Sequence, residues 1–436
     1  MMMIPAPHSD ALATLVISNA CEAYGEFLAT CDPLLVAGVQ AAGERCLFWW
    51  GDRKLVLLER PITPSPMLTR LGYHHTEILA PPDPTTRICD AIATDPDLFQ
   101  RVLAYIGDRP VQLIPYSTTP ALLRFAAALR AQSLTVTLPE SPRDRTLCDQ
   151  IEQKIGLRTW LAAHCPHLLD HMPPGIPCTT PAQAHTAIHT LTAQGHDVIL
   201  KPNTGFLGFG HLRGEAANPA ALLSHLEDHA KTPSLPWIVE ACIPSAQFLS
   251  PSAEFVIPPW GGGQPRLTQV GQQVFRGAGR YCGELLSRQS QTQPWYVPLI
   301  TAGLEIAHHL QAQGYQGHFD LDSIVADSGE LYLLEVNARR TGGTHLDDLA
   351  RWLWGEDYLA MWVLLSVAGA DSGAARSLPQ LWERLTPWLY PRSEADGGVI
   401  VTHTAQVDQG RWGYAIAATS EEDAIAIQTQ IQAALG

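Results

Sequence analysis

The densest chemistry in this sequence lies between residues 320 and 337. Two alternating runs, Phe319 to Val325 and Leu331 to Asn337, flank Asp327-Ser328-Gly329-Glu330, the pattern of a β-hairpin. With Ser328 and Gly329 as a two-residue loop, Asp322 faces Glu335 and Asp320 faces Asn337, and these side chains share one face. Like charges directly opposite destabilise a sheet, so the pattern reads either as a cation site or as a solvated polar face. Oxygen-only ligands suit Mg²⁺, which shares its sites with substrate phosphates. The run Ala338-Arg339-Arg340-Thr341-Gly342-Gly343-Thr344-His345 follows directly. A guanidinium at Arg339 is placed to neutralise a transferring phosphoryl group or an oxyanion, or else it is a surface charge.

A second constellation is the apolar run Val198-Ile199-Leu200 ending in Lys201, then Pro202-Asn203-Thr204-Gly205-Phe206-Leu207-Gly208-Phe209-Gly210. Gly205, Gly208 and Gly210 let the backbone approach a phosphate chain closely, and Lys201 adds a point charge. The order is neither a Walker loop nor a dinucleotide fingerprint, so a plain glycine connection is the competing reading.

The elements that must hold these residues are legible in outline. Residues Thr14 to Leu138 alternate short apolar runs (Leu15-Val16-Ile17, Val111 to Ile114) with helical stretches such as Ala121 to Ala131, which favours a parallel-sheet α/β domain. The proline-rich Leu138 to Pro142 marks a boundary near residue 145. Thr146 to Ala163 has helical spacing and ends at the breaker cluster Pro173 to Pro177. A small α+β unit follows: helix Ala182 to Gln194, strand Asp197 to Lys201, helix Pro219 to Lys231 and strand Pro236 to Cys242. The remainder alternates strands (Arg266 to Phe275, the hairpin, Val399 to Gln406, Arg411 to Ala418) and closes in an amphipathic helix, Glu421 to Leu435. Tyr358 to Ala370, the longest apolar stretch, is too short to span a bilayer and reads as a buried core helix.

Composition limits the function classes. The 436 residues are 46% hydrophobic and 16% charged, which is globular and not disordered. With 28 Lys and Arg against 43 Asp and Glu the formal charge is −15, so no cationic face for nucleic acid is expected and any phosphate bound is small. Nine scattered cysteines without a CxxC pair read as reduced, mostly buried thiols, and the first ten residues lack a secretory pattern, so a cytoplasmic location is expected. Lys154 beside Arg158 reads as a solvated helix face, and Cys242 and Cys282 as packed thiols. The pairs His74-His75 and His308-His309 point apart and lack a companion ligand set. Trp49-Trp50 and Trp352 to Trp354 read as core or subdomain contacts.

Lys154, the loop Lys201 to Gly210, Glu240 to Cys242, Asp322 and Glu335-Val336-Asn337-Ala338-Arg339 occur in the order seen in ATP-grasp ligases. More narrowly, Ser250-Pro251-Ser252, Gln273 to Gly283, Arg339 to His345 and Val399 to Thr429 resemble the pheganomycin-type peptide ligases, which carry a pre-ATP-grasp N-terminal domain. The resemblance covers nearly the whole chain. It implies an α/β pre-ATP-grasp domain over residues 1–145, a small ATP-grasp subdomain over 146–240 with the glycine-rich loop, and a large α+β subdomain over 241–436 with the metal site. It further implies ATP between the two subdomains, with Lys154 and Lys201 on its phosphates and Gly205, Gly208 and Gly210 closing over them. Backbone groups of Glu240 and Cys242 would meet the adenine. Asp322, Glu335 and Asn337 would hold Mg²⁺, Arg339 and Arg280 would face the acyl phosphate, and Thr344 and His345 would lie near the substrate carboxylate or amine.

Certain residues depart from the usual pattern. Phe206, Leu207 and Phe209 make the loop bulky, His211 replaces a small polar residue, and Ile243 to Gln247 offers no carboxylate for a ribose. Glu254 has no evident place. The expected activity is carboxylate-amine ligation through an acyl phosphate, releasing ADP, which needs charge neutralisation and no protein nucleophile. The acid and amine would be small molecules, an amino acid or peptide first among them, and a homodimer is compatible with the pattern. The alternatives are a non-amine acceptor, in a kinase or thioester-forming reaction, and a non-catalytic nucleotide-binding regulator.

Overall fold

A computed structural model of the chain describes residues 11–142, 144–205, 208, 210–227, 235–277, 279–392 and 397–436. Its strands form three sheets. The first is built from β1 (Ala13–Ile17), β2 (Lys54–Leu57), β3 (Thr76–Leu79), β4 (Val111–Pro115) and β5 (Val136–Thr137), all parallel, in the order β3-β2-β1-β4-β5. β1, β2 and β4 are buried along their whole length, as strands covered on both faces must be. The order reverses between β1 and β4, and in such sheets that is where a crevice opens at the carboxyl ends of the strands.

The second sheet is antiparallel, with β6 (Gly175–Cys178), β7 (Val198–Pro202), β8 (Leu212–Gly214) and β9 (Trp237–Ala241) in the order β6-β9-β7-β8. The cluster Pro173 to Pro177, expected only to break a helix, supplies edge strand β6, and an edge is where a strand tolerates proline. Residues 228–234, which include the end of the helix expected from Pro219 to Lys231, lie outside the described residues; the described helix is Ala220–Glu227.

The third sheet has eight antiparallel strands: β10 (Pro251–Ile257), β11 (Arg266–Arg276), β12 (Arg280–Leu286), β13 (Gly317–Val325), β14 (Leu331–Asn337), β15 (Val363–Asp371), β16 (Gly398–His403) and β17 (Arg411–Ala418), ordered β14-β13-β10-β11-β12-β15-β17-β16. β15 corrects the expectation of a core helix at Tyr358 to Ala370. It lies between β12 and β17 and is buried on both faces through Val367, so it shows no alternation to distinguish it from a buried helix.

Hydrophobic cores cross the expected boundaries. Cys148, Ile151, Leu157, Trp160 and Leu161, from the two helices that follow residue 144, pack with Phe255, Phe319 and Val336 of the large sheet. Phe48, Trp49 and Tyr73 of the first domain pack with Leu346, Leu349 and Trp412. Helix Tyr296–Ala312 lies on β10 through Gly303, where an added Cβ would sit 2.2 Å from the Phe255 ring. Gly303→Ala is therefore expected to destabilise the protein by about 2 kcal/mol, because the core must move a ring to admit the methyl. A urea midpoint equal to that of the unmodified chain would contradict this. No helix among the described residues is long and apolar enough to cross a membrane.

Candidate active site

The site begins with the β13–β14 hairpin. Asp322 pairs with Glu335 and Asp320 with Asn337, as the sequence register requires. The turn itself differs from expectation. Ala326 N–H donates to Glu330 O at 2.8 Å around a three-residue loop, Asp327 to Gly329, with Gly329 at φ +88°, and a bulge between Asp322 and Ser323 restores the pairing.

Across this face the acids crowd together. Asn337 Nδ2 donates to Asp320 Oδ2 at 2.9 Å and to Asp322 Oδ2 at 3.0 Å, bridging the two carboxylates. Ser252 Oγ reaches Asp320 at 2.5 Å from β10, and Gln273 Nε2 reaches Asp322 at 2.6 Å from β11. Burial, then the charge of Glu254, raises the Asp320 pKa from 3.8 to about 7. Burial, then Asp320 and Glu335, holds that of Asp322 well above the usual carboxylate range. Such a face stores repulsion that a divalent cation would relieve, and its all-oxygen donors, Asp322, Glu335 and the Asn337 amide oxygen, fit Mg²⁺.

The cationic side is built by the helix that starts at Lys154 and by strand β7 of the second sheet. Lys154 Nζ lies 2.9 Å from Glu335 Oε2, and this contact, opposing the effect of burial, brings the Glu335 pKa down to about 2. Lys154 opens helix Lys154–His164, and Asn203, just after β7, fastens that end: its carbonyl accepts from Lys154 N–H at 3.0 Å and its Oδ1 from Ile155 N–H at 2.9 Å. One residue thus ties the start of the glycine-rich loop to the helix that carries the first lysine. Lys201, near the end of β7, sits 2.7 Å from Glu240 Oε2, and Arg158 holds the other oxygen at 2.7 Å. His211, which closes the loop, is kept neutral by burial, then by the charges of Lys201 and Lys154, with its pKa lowered to about 3.

Arg339 joins this set to the first domain. Its Nη2 donates to Asn337 Oδ1 at 2.6 Å, its Nη1 to Tyr116 Oη at 3.1 Å, and its Nε lies 3.3 Å from Glu152. The guanidinium also stands over the rings of Tyr24 and Tyr116, 5.2 and 5.3 Å from their centroids. Tyr116 directly follows β4, so the arginine meets the first sheet at the β1/β4 reversal, beside a small cavity lined by Tyr116, Thr118, Glu140, His318, Arg339 and Arg340.

Other expected residues are placed differently. Gly208 and Gly210 adopt φ +75° and +77°, a backbone that glycine permits, and Gly205 lies between them and Lys201; Phe206, Leu207 and Phe209 are outside the described residues. Arg280 opens β12 at the tip of the β11–β12 hairpin, and the neighbouring Gly279 carbonyl lies 3.6 Å from where a Cβ on Gly208 would be. The tip therefore lies against the loop. Cys242 N–H donates to Asp197 O at 2.7 Å, so it is already used and does not offer a donor to an adenine edge. Thr344 Oγ1 is spent on Glu254 at 2.8 Å, and His345 is buried, with burial and then the charge of Arg45 lowering its pKa well below the usual imidazole range; neither reaches out towards a substrate in this conformation.

Asp320 was placed on this face by the same period-2 spacing as Asp322, whereas sequence reading left out several other side chains of the site. Glu254 is now placed on β10 opposite Asp320, holding His318 Nδ1 at 2.5 Å, and only the third-strand pairing reveals it. Glu152, Tyr24 and Tyr116 carry no local signal.

Glu240 offers a stability test. It is buried between two cations, so Glu240→Gln should leave both undercompensated and cost about 3 kcal/mol, read as a lower urea midpoint at unchanged slope. An unchanged midpoint would contradict this.

The architecture, a parallel α/β domain followed by antiparallel sheets with a glycine-rich loop and an acidic hairpin between them, is the pre-ATP-grasp plus ATP-grasp fold. The chain aligns over 97% of its length with 96% of an N5-carboxyaminoimidazole ribonucleotide synthetase solved with ADP, at 15% identity and a TM-score of 0.54. An L-amino acid ligase from Bacillus licheniformis aligns over 98% of both chains at 13% identity and a TM-score of 0.51. A biotin carboxylase from Campylobacter jejuni, solved with an ATP analogue, aligns over 95% of this chain and 89% of its own, at 13% identity and a TM-score of 0.55. No protein-family model and no curated protein matches the chain.

Proposed function

We propose that this chain is an ATP-dependent carboxylate-amine ligase that forms an amide or peptide bond through an acyl phosphate and releases ADP and phosphate. The observation that carries the reading is the convergence of Asp320, Asp322, Glu335, Asn337 and Arg339, from the β13–β14 hairpin and the residues after it, with Lys154 from a helix and Lys201 from the second sheet. That set pairs a cation site with fixed positive charge, as phosphoryl transfer to a weak oxygen nucleophile requires. On this reading residues 1–145 contribute the acid or amine pocket at the β1/β4 reversal, 146–240 the nucleotide lid, and 241–436 the metal-binding hairpin. Lys154 would leave Glu335 for the nucleotide phosphates, and Lys201 would stay anchored by Glu240 while reaching the same group. Mg²⁺ held by Asp322, Glu335 and Asn337 would supply charge neutralisation between phosphates. Arg339, held rigidly by Tyr116 and Glu152, would face the transferred group.

The narrower reading, a peptide ligase of the pheganomycin type acting on amino acids or peptides, is supported by the motifs Ser250 to Ser252, Gln273 to Gly283 and Arg339 to His345. The likeness in fold to an L-amino acid ligase is compatible with it. We propose small-molecule acids and amines as the partners, in the cytoplasm.

The test is ADP release from Mg·ATP with pooled amino acids and small carboxylates, with and without hydroxylamine, for the native chain and Glu335→Gln. Hydroxamate and ADP that the substitution abolishes would support the reading. ADP formed without hydroxamate, for any acid in the pool, would favour a different acceptor chemistry.

A further inference from the structure

The active-site groups do not account for a second cluster behind the large sheet. We infer that Cys165, Glu305 and His309 form a site for a borderline divalent cation of the zinc class. Their ligand atoms, a sulfur, a carboxylate oxygen and a ring nitrogen, all lie within 4.8 Å of one another. Glu305 and His309 are four residues apart on helix Tyr296–Ala312, which sets both on one helical face. Cys165 is fixed where helix Lys154–His164 ends, its N–H donating to Leu161 O at 2.8 Å. The geometry is thus set by two packed helices and not by a flexible loop.

The donor set selects the ion. Mg²⁺ and Ca²⁺ take oxygen ligands, whereas a thiolate, an imidazole and a carboxylate together are the mixture used by tetrahedral zinc sites. His167 Nε2 lies 3.1 Å from Glu305 Oε2, where it either orients the carboxylate or swings in as a fourth ligand. Trp160 walls the inner side, with its ring centroid 4.8 Å from that of His164 and 6.4 Å from that of His309, while Glu305 and His309 remain partly exposed for entry. Without a cation the arrangement is unfavourable for a thiolate: burial, then Glu305, pushes the Cys165 pKa up to about 12. Metal binding would replace the thiol proton and release it to solvent. Bound there, the ion would tie the turn at Pro166–His171 to the helix that backs β10.

The probe is Co²⁺ added to the full-length chain. One equivalent is expected to produce a thiolate-to-cobalt absorption band that Zn²⁺ bleaches. Cys165→Ser should abolish the band, His309→Asn should weaken cobalt affinity about tenfold or more, and Cys31→Ser should leave it unchanged. No band at one equivalent, or a band that survives Cys165→Ser, would overturn the assignment. Because a variant can fail to fold, proton release provides a second reading in the unmodified protein. One equivalent of Zn²⁺ added in weak buffer near pH 7 should release about one proton per chain from the Cys165 thiol. No proton release would mean that the thiol keeps its proton and only donates a hydrogen bond to Glu305.

Discussion

Arg339→Lys is expected to lower kcat for ADP formation by about 10³-fold while changing the KM for ATP little. The arginine is held as a flat group, with Asn337, Tyr116 and Glu152 around its edge and the rings of Tyr24 and Tyr116 facing it. Lysine keeps the charge but has neither the planar fork nor the stacking surface, so the ammonium would have no fixed direction. An interaction that matters mainly when charge develops on the transferred group affects kcat, whereas one that only binds nucleotide would affect KM. Activity within about fivefold of the native value, in a variant that melts normally, would remove Arg339 from the chemistry.

Asp322→Asn should have the second large effect, and its sign is opposite for activity and stability. Turnover should fall by about 10³-fold, because the carboxylate is one of two charged donors facing across the hairpin. Stability in Mg²⁺-free buffer should rise, because the substitution removes a carboxyl group that this buried face forces to take up a proton, whereas the unfolded chain leaves it ionised. The neighbouring Asp320 gives this a pH signature. Its folded pKa, about 7, lies above the unfolded value near 3.9, so between about pH 4 and 7 the native state keeps a proton that the unfolded chain has released. The stabilisation from that group is present at low pH and lost as pH rises through 7. Asp320→Asn should therefore gain on the native chain across this window, by up to about 4 kcal/mol at its upper end. Added Mg²⁺ should stabilise the native chain and not Asp322→Asn. A pH-independent difference, or equal Mg²⁺ stabilisation of both, would contradict this account of the acidic face.

The two halves of the site were unequally legible. The β13–β14 face follows from period-2 alternation alone, and the pairs Asp322–Glu335 and Asp320–Asn337 survive because a longer turn and a bulge offset each other. The glycine-rich loop and Lys201 were legible because a strand and its breaker are local patterns. Glu254, Gln273 and Ser252 were not, because they come onto the face through pairings of β10 with β11 and β13 that nothing nearby in sequence encodes. Tyr24, Tyr116 and Glu152 depend on docking of the first domain and on a helix break at residues 152–153. β15 was misread for a related reason: burial on both faces erases the alternation that marks a strand. Local periodicity thus positions charge along one hairpin, and tertiary packing decides which groups surround it.

The central claim, that this site activates a carboxylate by phosphoryl transfer, is tested most directly by isotope transfer. Amino acids and small carboxylates labelled with ¹⁸O in the carboxyl group would be incubated, pooled, with Mg·ATP and unlabelled amines, and the phosphate released analysed by mass. The account predicts one ¹⁸O per phosphate formed, dependent on Glu335 and Arg339. Phosphate released from ATP at a comparable rate but carrying no label would show that its new oxygen comes from water, and would contradict acyl-phosphate chemistry at this site.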